Sequence, residues 1–208
     1  MSLCSLQSLA ENESKPDDEI SVVVMGDSLS AAYYIPLESG WVNLMREKFT
    51  KNNMAVKVTN GSISGATTAA GLQALPALLK RHKPDIVVLE LGGNDGLQGK
   101  PVDLIKSNLA TLISMSQQSN AQVILVGMRL PPNLGARYTE PFYNQYAALA
   151  ETFNLSLVPF LLEGVAQNRE LMQEDGIHPT AEAQSRILDN VYPVIFNKIQ
   201  EIALERKD

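Results

Sequence analysis

Apolar residues along this chain fall into short continuous runs separated by longer stretches in which they recur at helical spacing. Residues 20–25 include Val22, Val23, Val24 and Met25, residues 85–91 read Asp-Ile-Val-Val-Leu-Glu-Leu, and residues 121–128 and 155–160 are similarly apolar. Runs of this length without polar alternation predict strands buried on both faces. Residues 54–59 alternate Ala55 and Lys57 with Val56 and Val58, which predicts a further short strand ended by Asn60-Gly61.

Between the runs, Trp41, Leu44, Met45 and Phe49 predict a helix over 40–51. Leu72, Leu75, Leu78 and Leu79 predict a second over 67–82, with a bend or restart at Gly71 and Pro76. A third is expected over 101–118, with Pro101 as first helical residue and Leu104, Ile105, Leu109, Leu112 and Ile113 as its buried stripe. Residues 142–153 read as helix. A last helix over 181–206 would be capped by Thr180 and kinked or interrupted at Pro193. Residues 31–36 form a loop, 161–176 are irregular or partly helical, and 129–141, with three prolines and a glycine, form an unusually long connection.

Five strands alternating with helices, with no consecutive hairpin pair, imply a parallel sheet covered on both faces. The predicted fold is therefore α/β, a flavodoxin-like three-layer α/β/α sandwich. Residues 1–18 mix Ser, Asn, Glu, Lys, Pro and Asp without period and read as a solvated leader; residues 19–208 read as one domain.

Composition narrows the function classes. A net charge of −6 with no block of Lys or Arg offers no footprint for nucleic acid. One cysteine, Cys4, excludes an internal disulfide framework and a thiolate metal cluster. No apolar run approaches the roughly 18 residues of a membrane span, and the amino terminus lacks the features of a secretory signal. Cys4 near the start resembles a lipoprotein's acylated junction, although a free thiol on a solvated tail is the preferred reading.

Candidate chemistry lies in polar clusters at the ends of the strands. Gly26-Asp27-Ser28-Leu29-Ser30 follows the first strand, residues 60–65 the second, and Gly92-Gly93-Asn94-Asp95 the third. In a parallel sheet these turns share the carboxyl edge. His178, in Asp175-Gly176-Ile177-His178-Pro179, precedes a proline and is expected in a loop. Asp175 could orient its Nδ1, leaving Nε2 to take the Ser28 proton. The Ser28 amide, the Gly65 amide and the Asn94 side chain are suitable donors for the oxyanion such an attack creates. Each cluster alone has a bland reading as turn or cap chemistry. Asp175 and His178 as metal ligands lack a third and fourth partner, His82 reads as a solvent-facing residue at a helix end, and no GxxxxGK[ST], GxGxxG or GxSxG motif is present.

Taken in order, Gly26-Asp27-Ser28-Leu29-Ser30, Asn60-Gly61-Ser62-Ile63-Ser64-Gly65-Ala66-Thr67, Leu91-Gly92-Gly93-Asn94-Asp95-Gly96-Leu97 and Asp175-Gly176-Ile177-His178-Pro179 resemble the four blocks of the GDSL, or SGNH, hydrolase superfamily. The match is nearest to its bacterial multifunctional thioesterase and lysophospholipase branch, and covers nearly all of residues 20–190. The resemblance implies Ser28 as nucleophile, His178 as general base and then acid, and Asp175 as its orienter. It implies an oxyanion hole of the Ser28 and Gly65 amides and the Asn94 side chain. It also implies a mobile substrate-binding loop over 129–136, including Arg129, Leu130, Pro131, Pro132, Asn133 and Leu134. Two-step acyl transfer on small-molecule esters or thioesters follows, without metal or organic cofactor, by a monomer located in the periplasm or secreted. Where the family usually has glycine this chain has Ala32, followed by Tyr33 and Tyr34, which leaves acyl-chain preference open. The rivals are a carbohydrate esterase removing acetyl groups, from the same superfamily, and an inactive binding module on the same sandwich.

Overall fold

In the computed structural model, which describes residues 19–207, the apolar runs form β1 (Ile20–Gly26), β2 (Val56–Asn60), β3 (Ile86–Glu90), β4 (Gln122–Val126) and β5 (Ser156–Val158). They pair in the order β2-β1-β3-β4-β5, all parallel. Every residue of β1 and of β3 is buried, the pattern expected of interior strands with helices on both faces. The expected three-layer α/β/α sandwich is the fold observed. Cys4 and the leader lie outside the described residues.

Alternate side chains of the strands point into two separate cores. On one face Val22, Val24, Val88 and Ile124 pack against α1 (Trp41–Lys51) and α6 (Gln184–Glu205). On the other, Met25, Leu89, Val123 and Leu125 pack against α2 (Thr68–His82), α4 (Val102–Gln118) and α5 (Ala136–Phe153). A short α3 (Gly93–Leu97), where the sequence suggests only a turn, connects β3 to α4.

Several boundaries differ from expectation, for physical reasons. The connection after β4 is shorter than 129–141, because α5 begins at Ala136 and passes through Pro141. Its first turn is held by the Gly135 carbonyl, which accepts from the Tyr138 and Thr139 amides, and by the Tyr138 hydroxyl donating to the Lys100 carbonyl at 2.6 Å. Pro76 and Pro193 likewise lie inside α2 and α6 without ending them. An interior proline costs about 3 kcal/mol; the buried residues Gly71 and Leu75 of α2, and Val191 and Ile195 of α6, bring apolar packing to both helices. Pro101 sits one place before α4 as its cap.

Thr180 does not cap the last helix. The helix starts at Gln184 with Ala183 in the cap position and no capping side chain. Gln184 instead joins two helix starts: its Oε1 accepts from the Trp41 amide at 3.0 Å, and its Nε2 donates to the Thr180 carbonyl.

One buried carboxyl fixes the second core to the sheet's carboxyl edge. Asp95, in α3, accepts from the Thr68 amide at 2.8 Å and the Thr68 hydroxyl at 2.7 Å, and Asn108 of α4 donates to that same hydroxyl at 2.9 Å. Three helices thus meet at the Thr68 hydroxyl, and the loop containing Gly65 runs directly into the first turn so held. Replacing Asp95 with Ala leaves two buried donors unpaired; the expected loss is about 2–3 kcal/mol, or roughly 4–12 °C in Tm for a chain of this size. Thermal unfolding followed by circular dichroism checks it, and a Tm within 2 °C of the parent (about 1 kcal/mol or less) would contradict this role.

Candidate active site

At the end of β1 the chain turns sharply, and its own side chains shape the turn. Asp27 Oδ1 accepts from the Leu29 amide at 3.0 Å, and the Asp27 carbonyl accepts from the Ser30 and Ala31 amides. From beneath, Glu90 Oε2 accepts from the Ser30 hydroxyl at 2.6 Å and from the Asp27 amide at 3.1 Å. A Cβ on residue 26 would lie 2.3 Å from that oxygen, so only glycine fits between strand and carboxyl. Ser28 is left half-buried at the sheet's carboxyl edge.

His178 reaches this point from 150 residues away. Its loop is closed by a bridge between Met172 and Pro179 and by the Gln173 amide donating to the His178 carbonyl at 2.8 Å. Gly176 turns the loop with φ +66°, in the left-handed region. Gln173 Nε2 donates to the carbonyls of Tyr33 and Pro179, pinning the loop to the segment after β1. The Tyr33 ring then lies 4.3 Å, centroid to centroid, from the imidazole.

A continuous hydrogen-bonded chain results. His178 Nε2 is 2.9 Å from Ser28 Oγ, and His178 Nδ1 is 2.6 Å from Asp175 Oδ2. The other oxygen of Asp175 accepts from the Ile177 and His178 amides at 2.9 and 3.0 Å. Partial burial pushes the Asp175 carboxyl up, but the His178 amide and ring and the Ile177 amide outweigh it and hold it down at about 2. An ionised Asp175 requires the proton on Nδ1, which leaves Nε2 as acceptor for the serine hydroxyl.

Donors surround the same point. Among the described residues neither the Ser28 nor the Gly65 amide donates to a protein acceptor. Gly65 has φ +78° and nothing within 4 Å of where a Cβ would stand. Asn94 joins them, although its amide is already engaged: Nδ2 donates to Asp27 Oδ2 and to the Ala66 carbonyl, both at 3.0 Å. An apolar cavity of about 200 Å³ opens beside Gly65, lined by Met25, Ile63, Ala66, Ala74 and Leu91 among others.

The segment after β4 divides in two. The Arg129 guanidinium lies 4.2 Å from the Tyr143 ring centroid and 5.3 Å from that of Phe160, and Leu130 is buried in the second core. Pro131 precedes a single 3₁₀ turn, Pro132–Leu134, which contains Asn133 and is exposed. Arg129 and Leu130 therefore anchor the segment, and 132–134 are its free part.

Acidic groups behind the turn were not singled out by the sequence reading. Burial, opposed in part by the Leu29 amide, His178 and Asn94 and reinforced by Asp95, pushes the Asp27 carboxyl up to about 6. Burial and the neighbouring Asp27 push Glu90 well above the carboxylate range. The available signal for Glu90 is a charged residue at the end of an otherwise apolar strand and next to Leu91, where an unpaired charge is very costly. Gln173 and Tyr33 carried no such signal. Among the described residues no group of three or more His, Cys, Asp or Glu is arranged to hold a metal ion, and no helix is long and apolar enough to cross a membrane.

Residues 24–186 match the model of the GDSL-like lipase/acylhydrolase family. An arylesterase of Vibrio mimicus is 47% identical over 170 residues, which are 82% of this chain and 85% of that protein. The thioesterase 1/protease 1/lysophospholipase L1 of Escherichia coli (strain K12) is 41% identical over 81% of this chain and 80% of its own. The crystal structure of the psychrotrophic esterase EstA from Pseudoalteromonas sp., inhibited by monoethylphosphonate, superposes with a TM-score of 0.84 at 37% identity, covering 88% of this chain and 100% of that one. Family match, relatives and fold agree, and the chain belongs to the GDSL-like lipase/acylhydrolase family.

Proposed function

We propose that this family member hydrolyses carboxylic esters and thioesters by two-step acyl transfer through Ser28. The observation that carries the reading is the hydrogen-bonded chain from Ser28 Oγ through His178 to the Asp175 carboxylate. His178 Nε2 takes the hydroxyl proton as Ser28 Oγ bonds to the carbonyl carbon. The negative charge passes to the carbonyl oxygen, which the Ser28 and Gly65 amides meet, joined by one N–H of Asn94 that loosens from the Ala66 carbonyl. The alcohol or thiol leaves with the proton from His178. Water, deprotonated by the same nitrogen, then releases the acid and restores Ser28.

Small-molecule acyl compounds are the substrate class. Two features favour apolar groups on them: the cavity beside Gly65 and the exposed Leu134 on the 3₁₀ turn after β4. Every group in the scheme comes from one chain, which suits a monomer. The periplasmic or secreted location belongs to the same reading and is supported by the family resemblance.

Replacing Ser28 with Ala is expected to lower kcat by roughly 10⁴-fold or more while leaving the circular dichroism spectrum unchanged. It should also abolish labelling by a fluorophosphonate probe, and a variant that still turned over p-nitrophenyl butyrate at the parent rate would refute the nucleophile. Asn94→Ala is expected to cost roughly a hundred- to a thousandfold in kcat with KM little changed. Steady-state kinetics separate the two parameters, and a loss confined to KM would remove Asn94 from the oxyanion site.

A further inference from the structure

Glu90 ends β3 directly under the Ser28 turn and is completely buried. A carboxyl there is costly, and the mechanism above assigns it nothing. Its two oxygens have unequal surroundings. Oε2 receives both available donors, the Ser30 hydroxyl at 2.6 Å and the Asp27 amide at 3.1 Å. Oε1 is buried and meets no donor among the described residues.

That asymmetry suits a neutral acid better than an anion. An ionised carboxylate spreads its charge over two oxygens and wants donors at both. A protonated one has one oxygen that accepts and a hydroxyl that donates, and the Asp27 carboxyl, in side-chain hydrogen bond with Glu90, is the acceptor it meets. The surroundings agree: the carboxyl facing it is Asp27, on the β1 turn, and the Tyr146 hydroxyl of α5 is committed to the Leu91 carbonyl at 3.0 Å. Beyond Asp27 stand His178 and Asp95, of opposite effect on that carboxyl. No lysine or arginine is among the groups that shift either carboxyl.

We propose that Glu90 is a positioning residue that works as the neutral acid, holding the Ser28 turn from beneath through Ser30 and the Asp27 backbone. This rests on Ser28 being the nucleophile. The consequence runs in two directions from Asp27. Its amide is fixed by Glu90, one residue before Ser28. Its carboxylate, free to stay ionised beside a neutral neighbour, holds the Asn94 amide. One buried proton thereby keeps the attacking oxygen and an oxyanion donor in register.

The direction of the Glu90 shift supplies a readout that a purely structural role would not move. Its folded value lies above the unfolded one, so the folded chain binds the extra proton. The associated stability is present at low pH and is lost as pH rises from the ordinary carboxylate range through the raised value. Once Glu90 ionises, a second negative charge stands beside Asp27 and kcat should fall.

Kinetics with p-nitrophenyl butyrate and fluorophosphonate labelling rates from pH 5 to 10 test this in Glu90→Ala, Glu90→Gln and Ser30→Ala, with Ser28→Ala as control. Glu90→Ala is expected to lose roughly a hundredfold in kcat with KM nearly unchanged, the usual scale for a displaced reacting group. Glu90→Gln, neutral at every pH and nearly isosteric, should recover most of that loss and lack the alkaline fall of kcat and Tm. Should Glu90→Ala not fold, Ser30→Ala carries the test through a lower kcat and a proportionally slower labelling rate. Full kcat in Glu90→Ala, a Glu90→Gln rate as low as that of Glu90→Ala, or a retained alkaline fall in Glu90→Gln would each overturn the proposal. If Ser28→Ala itself stays active, the nucleophile assignment fails instead, whatever the Glu90 variants do.

Discussion

The arrangement depends on β1 being enclosed on every side. β2 and β3 pair with its two edges in parallel and helices cover both faces, so the chain leaves only past Gly26. The register carries the constraint onward. Gly26 stands opposite Glu90, which places the last side chain of β3 under the first turn after β1. A shift of one residue would send that carboxyl to the opposite face of the sheet. The Ser28 turn is thus shaped by strand pairing as well as by its own hydrogen bonds.

Burying carboxyls so close to Ser28 and His178 opposes stability, and the structure offsets it in different ways. Asp95 collects two donors from Thr68 at a helix start. Asp175 stays partly exposed and is held down at about 2 by His178 and the Ile177 amide. Asp27 and Glu90 share the interior with each other, no lysine or arginine shifts either of them, and both are pushed up. The acid hydrogen-bonded to His178 is therefore ionised at all ordinary pH, while of the pair beneath Ser28 it is Glu90 that retains its proton. Two kinds of carboxyl serve one site, separated by burial and by the number of donors each receives.

Much of this was legible in the chain. The strand runs around Val23, Val87 and Ile124 lack polar alternation, so the parallel sheet and its carboxyl-edge clusters followed from periodicity. Ser28, Asn94, Asp175 and His178 could be named from residue type and order together with the four-block resemblance, and the fold brings them together. The failures have local causes. Proline was given too much weight at Pro141, where the buried face of α5 holds the helix. Thr180 fits a capping pattern, but Gln184, bonded to the start of α1, sets where the last helix begins. Glu90 was read only as part of a strand, because its meaning depends on the register with β1, which no local window contains.

Ala32 stands where the family resemblance implies glycine, and the structure accommodates it. Its φ of +57° is a conformation that glycine adopts freely and an L-residue adopts at a cost of roughly 1–2 kcal/mol. Tyr34, two residues on, has φ +54°. The Ala32 methyl fits because residue 40 is glycine: a Cβ there would lie 2.9 Å from it. Between the two strained positions stands Tyr33, whose carbonyl accepts from Gln173 and whose ring lies against His178. The hydrogen bond and the ring contact offset the strained backbone, and both bear on the loop that carries the imidazole. Strain of this kind persists only where surrounding contacts over-determine it, and here those contacts set the position of His178 relative to Ser28.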